Sequence, residues 1–262
     1  MKFYEYGSRG LPVIVMLTGS FCPADTLEYL YSRLEKDYYI IVPEYTGHYK
    51  GSKPFSTRQK EAAKILDYLK EQGVDEVAMV YGQSMGAEIG MELISQLLKN
   101  RIKVGSAFFD GGPFIRLHSL YKAFMNFKFK TMIKQVQKSG VDGMMKSAFV
   151  KKFTKGDTRA MKPMLEALAK TAPNISEQTI RNETECCYTF NFPDMSEEMQ
   201  ENIFFVYSKE EKAFKSCFKY LIDAYPVANY KTLTGFGHLG FSVRHTDEYI
   251  KVLNAICTRE KA

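Results

Sequence analysis

The sequence holds 262 residues, with 36 Lys and Arg against 30 Asp and Glu for a net charge of +6, and 45% hydrophobic residues. These values lie in the ordinary globular range and exclude collagen-like, disordered and small disulfide-scaffold chains. Uninterrupted apolar runs such as Val13 to Leu17 fall far short of the roughly 18 residues a membrane span needs.

The opening residues Met1 to Gly7 lack the basic stretch, apolar core and small-residue cleavage site of an export leader, so a cytoplasmic location is expected. Beyond them, short apolar runs alternate with helix-length amphipathic stretches, the pattern of βαβ units around a mostly parallel sheet. Strands are predicted at Val13 to Leu17, Tyr39 to Val42, Val77 to Tyr81 and Val104 to Phe109. Each run is continuously apolar, as strands covered on both faces must be. Helices are predicted over about Ala24 to Glu35, Thr57 to Gln72 and Met85 to Lys99, the second ended by Gly73. After Asp110-Gly111-Gly112-Pro113 roughly ninety residues read as helical, Lys-rich and Met-rich. The strand pattern returns at Ile203 to Tyr207 and near Ala228 to Leu233, and a last helix is predicted over Val243 to Ile256, with His245 inside it. The middle segment is therefore an insertion into one α/β unit.

Charge follows the same division. From Arg116 to Lys162 there are twelve Lys or Arg against two acids, a local +10 that leaves the rest of the chain at −4. Within this stretch, Leu120 to Lys134 reads as a helix with an aromatic and Met face and a basic face. Packing of the apolar face with solvated lysines is the plainest reading. A substrate entrance biased toward apolar or anionic molecules is a second, and contact with an anionic membrane is a third and disfavoured one. No recognised nucleic-acid-binding motif accompanies the charge, so no nucleic-acid partner is expected. The five cysteines (Cys22, Cys186, Cys187, Cys217, Cys257) are odd in number and lack CxxC spacing, which argues for reduced thiols and against a metal site.

The most specific local signal is Gly82-Gln83-Ser84-Met85-Gly86, directly after a predicted strand and opening a predicted helix. In that context G-x-S-x-G marks a nucleophile elbow, the competing reading being a glycine-rich structural turn. So tight a strand-to-helix turn strains the central residue, and glycine two positions either side removes side chains that would collide. A serine hydroxyl is thereby raised at a helix N-terminus, beside backbone N–H groups able to bind an oxyanion.

With this motif in this order of elements, the chain resembles the α/β-hydrolase fold superfamily, in the manner of a cap-bearing serine esterase or lipase. The resemblance spans nearly the whole sequence. It implies a mostly parallel sheet flanked by helices, with residues 1–112 and 202–262 forming the catalytic domain and residues 113–201 a mainly helical cap. In that family the base lies in a loop after the last strand, where this sequence has Gly235-Phe236-Gly237-His238-Leu239-Gly240. His48, in Glu44-Tyr45-Thr46-Gly47-His48, matches a loop histidine that is usually structural, and His118 falls in the insertion.

The acid is implied after Phe204-Phe205-Val206-Tyr207, where Ser208 stands at the usual glycine and Glu211 at the usual aspartate. Glu210 and Asp110 are the alternatives. The oxyanion hole is implied at the backbone N–H groups of Met85 and Ser20, the latter in Thr18-Gly19-Ser20-Phe21, with threonine in place of the common histidine. A triad of Ser84, His238 and Glu211 implies cofactor-free hydrolysis of a small-molecule carboxylic ester or related acyl bond through an acyl-enzyme. Thioesterase, peptidase or C–C bond hydrolase chemistry on the same triad remains open, as does a ligand-binding protein with little turnover.

Overall fold

The computed structural model describes residues 1–146, 151 and 162–258. Residues 147–150 and 152–161, which carry part of the lysine-rich stretch, lie outside the described residues, as do 259–262. The first half runs β1 (Lys2–Tyr6), β2 (Val13–Leu17), a 3₁₀ turn (Ala24–Leu27), α1 (Glu28–Leu34), β3 (Tyr39–Glu44), α2 (Arg58–Glu71), β4 (Glu76–Gln83), α3 (Met85–Lys99) and β5 (Lys103–Asp110). Helices α4 (Ser119–Lys146), α5 (Lys162–Thr171), α6 (Glu177–Tyr188) and α7 (Glu197–Gln200) follow. The chain then returns to the sheet through β6 (Ile203–Ser208), α8 (Lys212–Ala224), β7 (Asn229–Leu233), α9 (Gly240–Arg244) and α10 (Thr246–Cys257).

The seven strands lie in the order β1-β3-β2-β4-β5-β6-β7. All neighbours are parallel except β1, which pairs antiparallel with β3 through contacts such as Tyr4 with Val42. From β2 the chain first adds β3 on one side and then β4 on the other. The order reverses there, and open α/β sheets hold their ligands beyond the strand ends at such a point.

Period-two alternation within continuously apolar strands builds two cores, one on each face. Val15 and Leu17 of β2 pack on one face with Val80, Phe109 and Phe205, against Ile65 of α2, Ile94 of α3 and Leu221 of α8. Ile14 and Met16 face the opposite way with Ile40, Met79 and Phe108, against Leu30 of α1 and Leu253 of α10. A third cluster joins Ile133 and Val136 of α4, Leu165 and Leu168 of α5 and Ile180 of α6 to Phe21, which belongs to the loop after β2.

Several expectations need correction. Strand β1 went unread because it mixes polar and aromatic residues on a half-exposed edge, without the apolar run that marks the central strands. The last helix is two, since His245 (φ −121, ψ 47) breaks it and sits at the junction, not within a helix. Pro23 precedes a 3₁₀ turn, so the α-helix starts at Glu28 and not at Ala24. Helix α4 is kinked at Gly140 (φ 59), and its aromatic residues do not share one face.

Candidate active site

Ser84 stands between β4 and α3 with φ 51 and ψ −122, a conformation costly for any residue with a Cβ. The strain is held by the sheet on one side and by the first turn of α3 on the other. The Ser84 N–H donates to the Asp110 carbonyl at the end of β5 (2.9 Å), and the Ser84 carbonyl accepts from the Ala87 N–H (3.0 Å). A Cβ at position 82 would lie 2.6 Å from the Gly86 carbonyl oxygen, and one at 86 would lie 2.4 Å from that of Leu17. Both glycines are therefore demanded by close backbone approach.

The loop after β2 folds over this elbow. A Cβ at Gly19 would sit 3.3 Å from the Ser84 Cβ, a tight contact that glycine avoids as the loop approaches the hydroxyl. Phe21, at φ 61, donates its backbone N–H to Glu183 Oε2 at 2.8 Å. That donor is thereby committed, which leaves the N–H groups of Ser20 and Met85 as candidates to meet an oxyanion. The Ser20 hydroxyl lies 3.3 Å from Cys187 Sγ on α6.

Glu183 was not anticipated from sequence. Its carboxylate, fully buried on α6, also meets His48 Nε2 at 2.6 Å, while His48 Nδ1 lies 3.2 Å from the Cys22 carbonyl. With a carboxylate and a carbonyl as partners, both ring nitrogens of His48 must donate, which calls for the imidazolium. Burial pushes the His48 pKa down, but the charge and hydrogen bond of Glu183 outweigh it, leaving the ring more basic than usual. The pair fixes residues 21 and 22 from a distant helix. Its one sequence signal was a glutamate sharing a helix face with Thr179, Ile180, Thr184, Cys186 and Cys187, all buried.

His238 sits in the loop after β7, and its Nδ1 lies 2.5 Å from Glu211 Oε2. Glu211 Oε1 accepts the Ser208 N–H at 2.8 Å, so both carboxylate oxygens are engaged. Burial disfavours a charged His238, yet the Glu211 charge and hydrogen bond, aided by Asp110, hold the imidazole above its ordinary pKa. Gly111, at φ +66, closes the arrangement: a Cβ there would meet His238 Cε1 at 2.5 Å and Glu211 Oε2 at 3.2 Å. The histidine therefore packs on the residue following Asp110, whose carbonyl holds Ser84.

The two alternative carboxylates have other partners. Glu210 Oε1 accepts the Gly235 N–H (2.8 Å), and its Oε2 lies 2.6 Å from the Ser208 hydroxyl, which is 2.5 Å from the Phe236 carbonyl. Glu210 and Ser208 thus tie the end of β6 to the histidine loop. Asp110 is buried at the end of β5 and accepts the Tyr249 hydroxyl at 2.9 Å. Burial, reinforced by the Glu211 charge, raises its pKa to about 7. From Asp110 a buried polar chain continues through Tyr249, Tyr81 and Gln83 to Tyr29 and Ser242.

Two surface cavities, of about 190 and 460 Å³, do not include Ser84, and His118 lines the larger. Among the described residues no group of three or more His, Cys, Asp or Glu could hold a metal ion.

No protein-family model and no curated protein matches the sequence. Solved structures do match in shape. A protein assigned to the alpha/beta hydrolase family from Desulfitobacterium hafniense superposes with a TM-score of 0.76 at 16% identity, covering 97% of this chain and 99% of that one. MenH from S. aureus gives 0.73 at 13%, covering 100% and 98%. A carboxylesterase of Nitrososphaera gargenis gives 0.71 at 15%, covering 98% and 95%. The chain has the α/β-hydrolase fold.

Proposed function

We propose that this α/β-hydrolase-fold protein is a serine hydrolase that cleaves carboxylic esters by acyl transfer, with Ser84 as nucleophile, His238 as base and Glu211 as acid. The observation that carries the reading is the 2.5 Å contact between His238 Nδ1 and Glu211 Oε2, seated on Gly111 beside the strand end that holds Ser84. Glu211 fixes the imidazole with its Nδ1 protonated, leaving Nε2 to take the Ser84 proton. The Ser84 oxygen then attacks the ester carbonyl, and the N–H groups of Ser20 and Met85 stabilise the negative oxygen. His238 returns the proton to the departing alcohol, then activates a water that releases the acid and restores Ser84. No step calls on a cofactor.

Residues 113–201 act in this reading as a cap. Support comes from two contacts with the oxyanion loop, the packing of Phe129 on Phe21 with ring centroids 5.3 Å apart and the bond from Phe21 N–H to Glu183. The esterase assignment draws on the carboxylesterase among the similar folds and on a serine, not an aspartate, at the elbow.

The test is labelling with a fluorophosphonate probe together with hydrolysis of short-chain p-nitrophenyl esters. Wild type should label and turn over, and Ser84→Ala should do neither. Folded wild-type protein that neither labels nor hydrolyses any ester would refute the assignment.

A further inference from the structure

Helix α4 is apolar on two sides. Its inner face carries buried Ile133 and Val136, with Phe129 and Met132 packed beside them. At 100° per residue, Leu120, Phe124 and Phe127 fall on the opposite side, with Tyr121 at its flank. These four are exposed by 83%, 53%, 66% and 65%. From sequence alone, packing of such rings was the plainest of three readings, with membrane contact the disfavoured one. Large apolar side chains clustered on the surface of a soluble domain mark an interaction site, and a helix apolar all round is otherwise a buried one.

Charge selects the partner. The helix holds six lysines against one acid, Asp142. Lys134 and Lys138 continue the outward face beyond the aromatic turns, and Lys128 lies 4.9 Å from the Phe124 ring centroid. Lys122, Lys130 and Lys134 have glutamate partners on α6, at 2.8, 2.6 and 3.9 Å, but those carboxylates leave the helix with a basic surplus. A second copy meeting this face about a two-fold axis would oppose lysines to lysines. An anionic lipid surface has the complementary sign and accepts aromatic side chains at the headgroup boundary. From Leu120 to Phe127 the exposed apolar side chains span about 10 Å of helix, a shallow footprint suited to lying on a bilayer. No helix among the described residues is long and apolar enough to cross one.

We propose that the outward face of α4, through Leu120, Tyr121, Phe124 and Phe127 with the adjacent lysines, docks the protein peripherally on anionic lipid. This stands apart from the hydrolase reading. Were both to hold, the docked helix would be the one whose inner-face Phe129 packs on Phe21 of the loop after β2.

Vesicle flotation of the full chain tests the proposal, using vesicles of phosphatidylcholine alone and of phosphatidylcholine mixed equally with phosphatidylglycerol. Wild type and Ser84→Ala should float with the anionic vesicles at least about tenfold better than with neutral ones, and high salt should reverse most of the difference. Phe124→Asp with Phe127→Asp should lose flotation, as should Lys128→Glu with Lys138→Glu, while p-nitrophenyl acetate turnover and melting temperature stay at wild-type values. Wild type that fails to float, or floats equally with both lipids, overturns the proposal without reference to any variant. Undiminished flotation of the paired Asp variant overturns it too. So does a concentration-dependent dimer that the paired Asp variant abolishes in protein that never floats, which would assign the face to a second copy.

Discussion

Replacing Glu211 by glutamine separates its role from those of its neighbours. The native carboxylate accepts on both oxygens, from His238 Nδ1 at 2.5 Å and from the Ser208 N–H at 2.8 Å. A glutamine has one acceptor. If its oxygen keeps the Ser208 bond, its NH₂ faces His238, makes Nδ1 an acceptor and moves the ring proton to Nε2, the atom that must take a proton from Ser84. If the amide is reversed, its NH₂ opposes the Ser208 N–H and the backbone donor is left unpaired. The favoured outcome is the wrong tautomer in an otherwise intact site, a change worth about 10⁴ in kcat, or ~5.5 kcal/mol of barrier. Loss of the carboxylate also removes what lifts the His238 pKa. Activity requires neutral His238, so it should rise with pH through an inflection above the usual imidazole value in wild type, and at lower pH in whatever activity the variant retains. The assay is kcat on a p-nitrophenyl ester from pH 5 to 9, beside Glu210→Gln and Asp110→Asn. Glu210→Gln should cost less than about 10², the scale of a displaced loop. If Glu211→Gln stays within tenfold of wild type while Asp110→Asn loses 10³-fold or more, Glu211 is not the acid and the reasoning fails.

Gly86→Ala would place a methyl 2.4 Å from the Leu17 carbonyl oxygen, so it should destabilise by at least about 1–3 kcal/mol in denaturant titrations and abolish serine labelling. Glu183→Ala strips a buried histidine of its counter-charge and Phe21 of its acceptor. It should destabilise by about 3–5 kcal/mol and lower kcat by up to about 10²- to 10³-fold, the worth of an oxyanion donor, whereas unchanged kcat would separate the pair from catalysis. Asp110→Asn bears on stability against pH. The folded protein holds the Asp110 proton up to about pH 7, whereas the unfolded chain releases it near the usual ~4, so wild type loses stability as pH rises between these values. The variant should lack that slope, so its melting temperature should gain on wild type from about pH 4 to 7, and parallel curves would show Asp110 to be ordinary.

Legibility in the sequence followed burial. Strand β2 was bounded to the residue because both of its faces are covered, and an unbroken apolar run has definite ends. Strand β1, solvated along an edge, left no such run. Ser84 was legible because its strain requires glycines at fixed distances, and His238 because chain order placed it. Glu211 was implied beside His238 by the family pattern, with the neighbouring Glu210 left as an alternative; backbone direction turns Glu211 to the imidazole and Glu210 to Gly235 and Ser208. The split of α4 into inner and outer aromatic residues was hidden. Helical spacing says which side chains share a face, but not which face packs on the rest of the chain and which is exposed.

The residues at which this chain departs from the common pattern of its fold are joined by hydrogen bonds. Ser208, in place of glycine, uses its N–H to hold Glu211 and its hydroxyl to reach the histidine loop at Phe236. Glu211, one methylene longer than aspartate, spans from that N–H to His238 from the position just before α8. On the other side of the elbow Thr18, in place of histidine, turns its hydroxyl onto the Cys22 carbonyl, the same oxygen that His48 approaches. Glu183 completes that side from α6. At each of these positions the residue present is engaged in a hydrogen bond to neighbouring backbone or to the imidazole. With Glu183 as the acceptor for the Phe21 N–H, the loop beside Ser84 is anchored to a helix between β5 and β6.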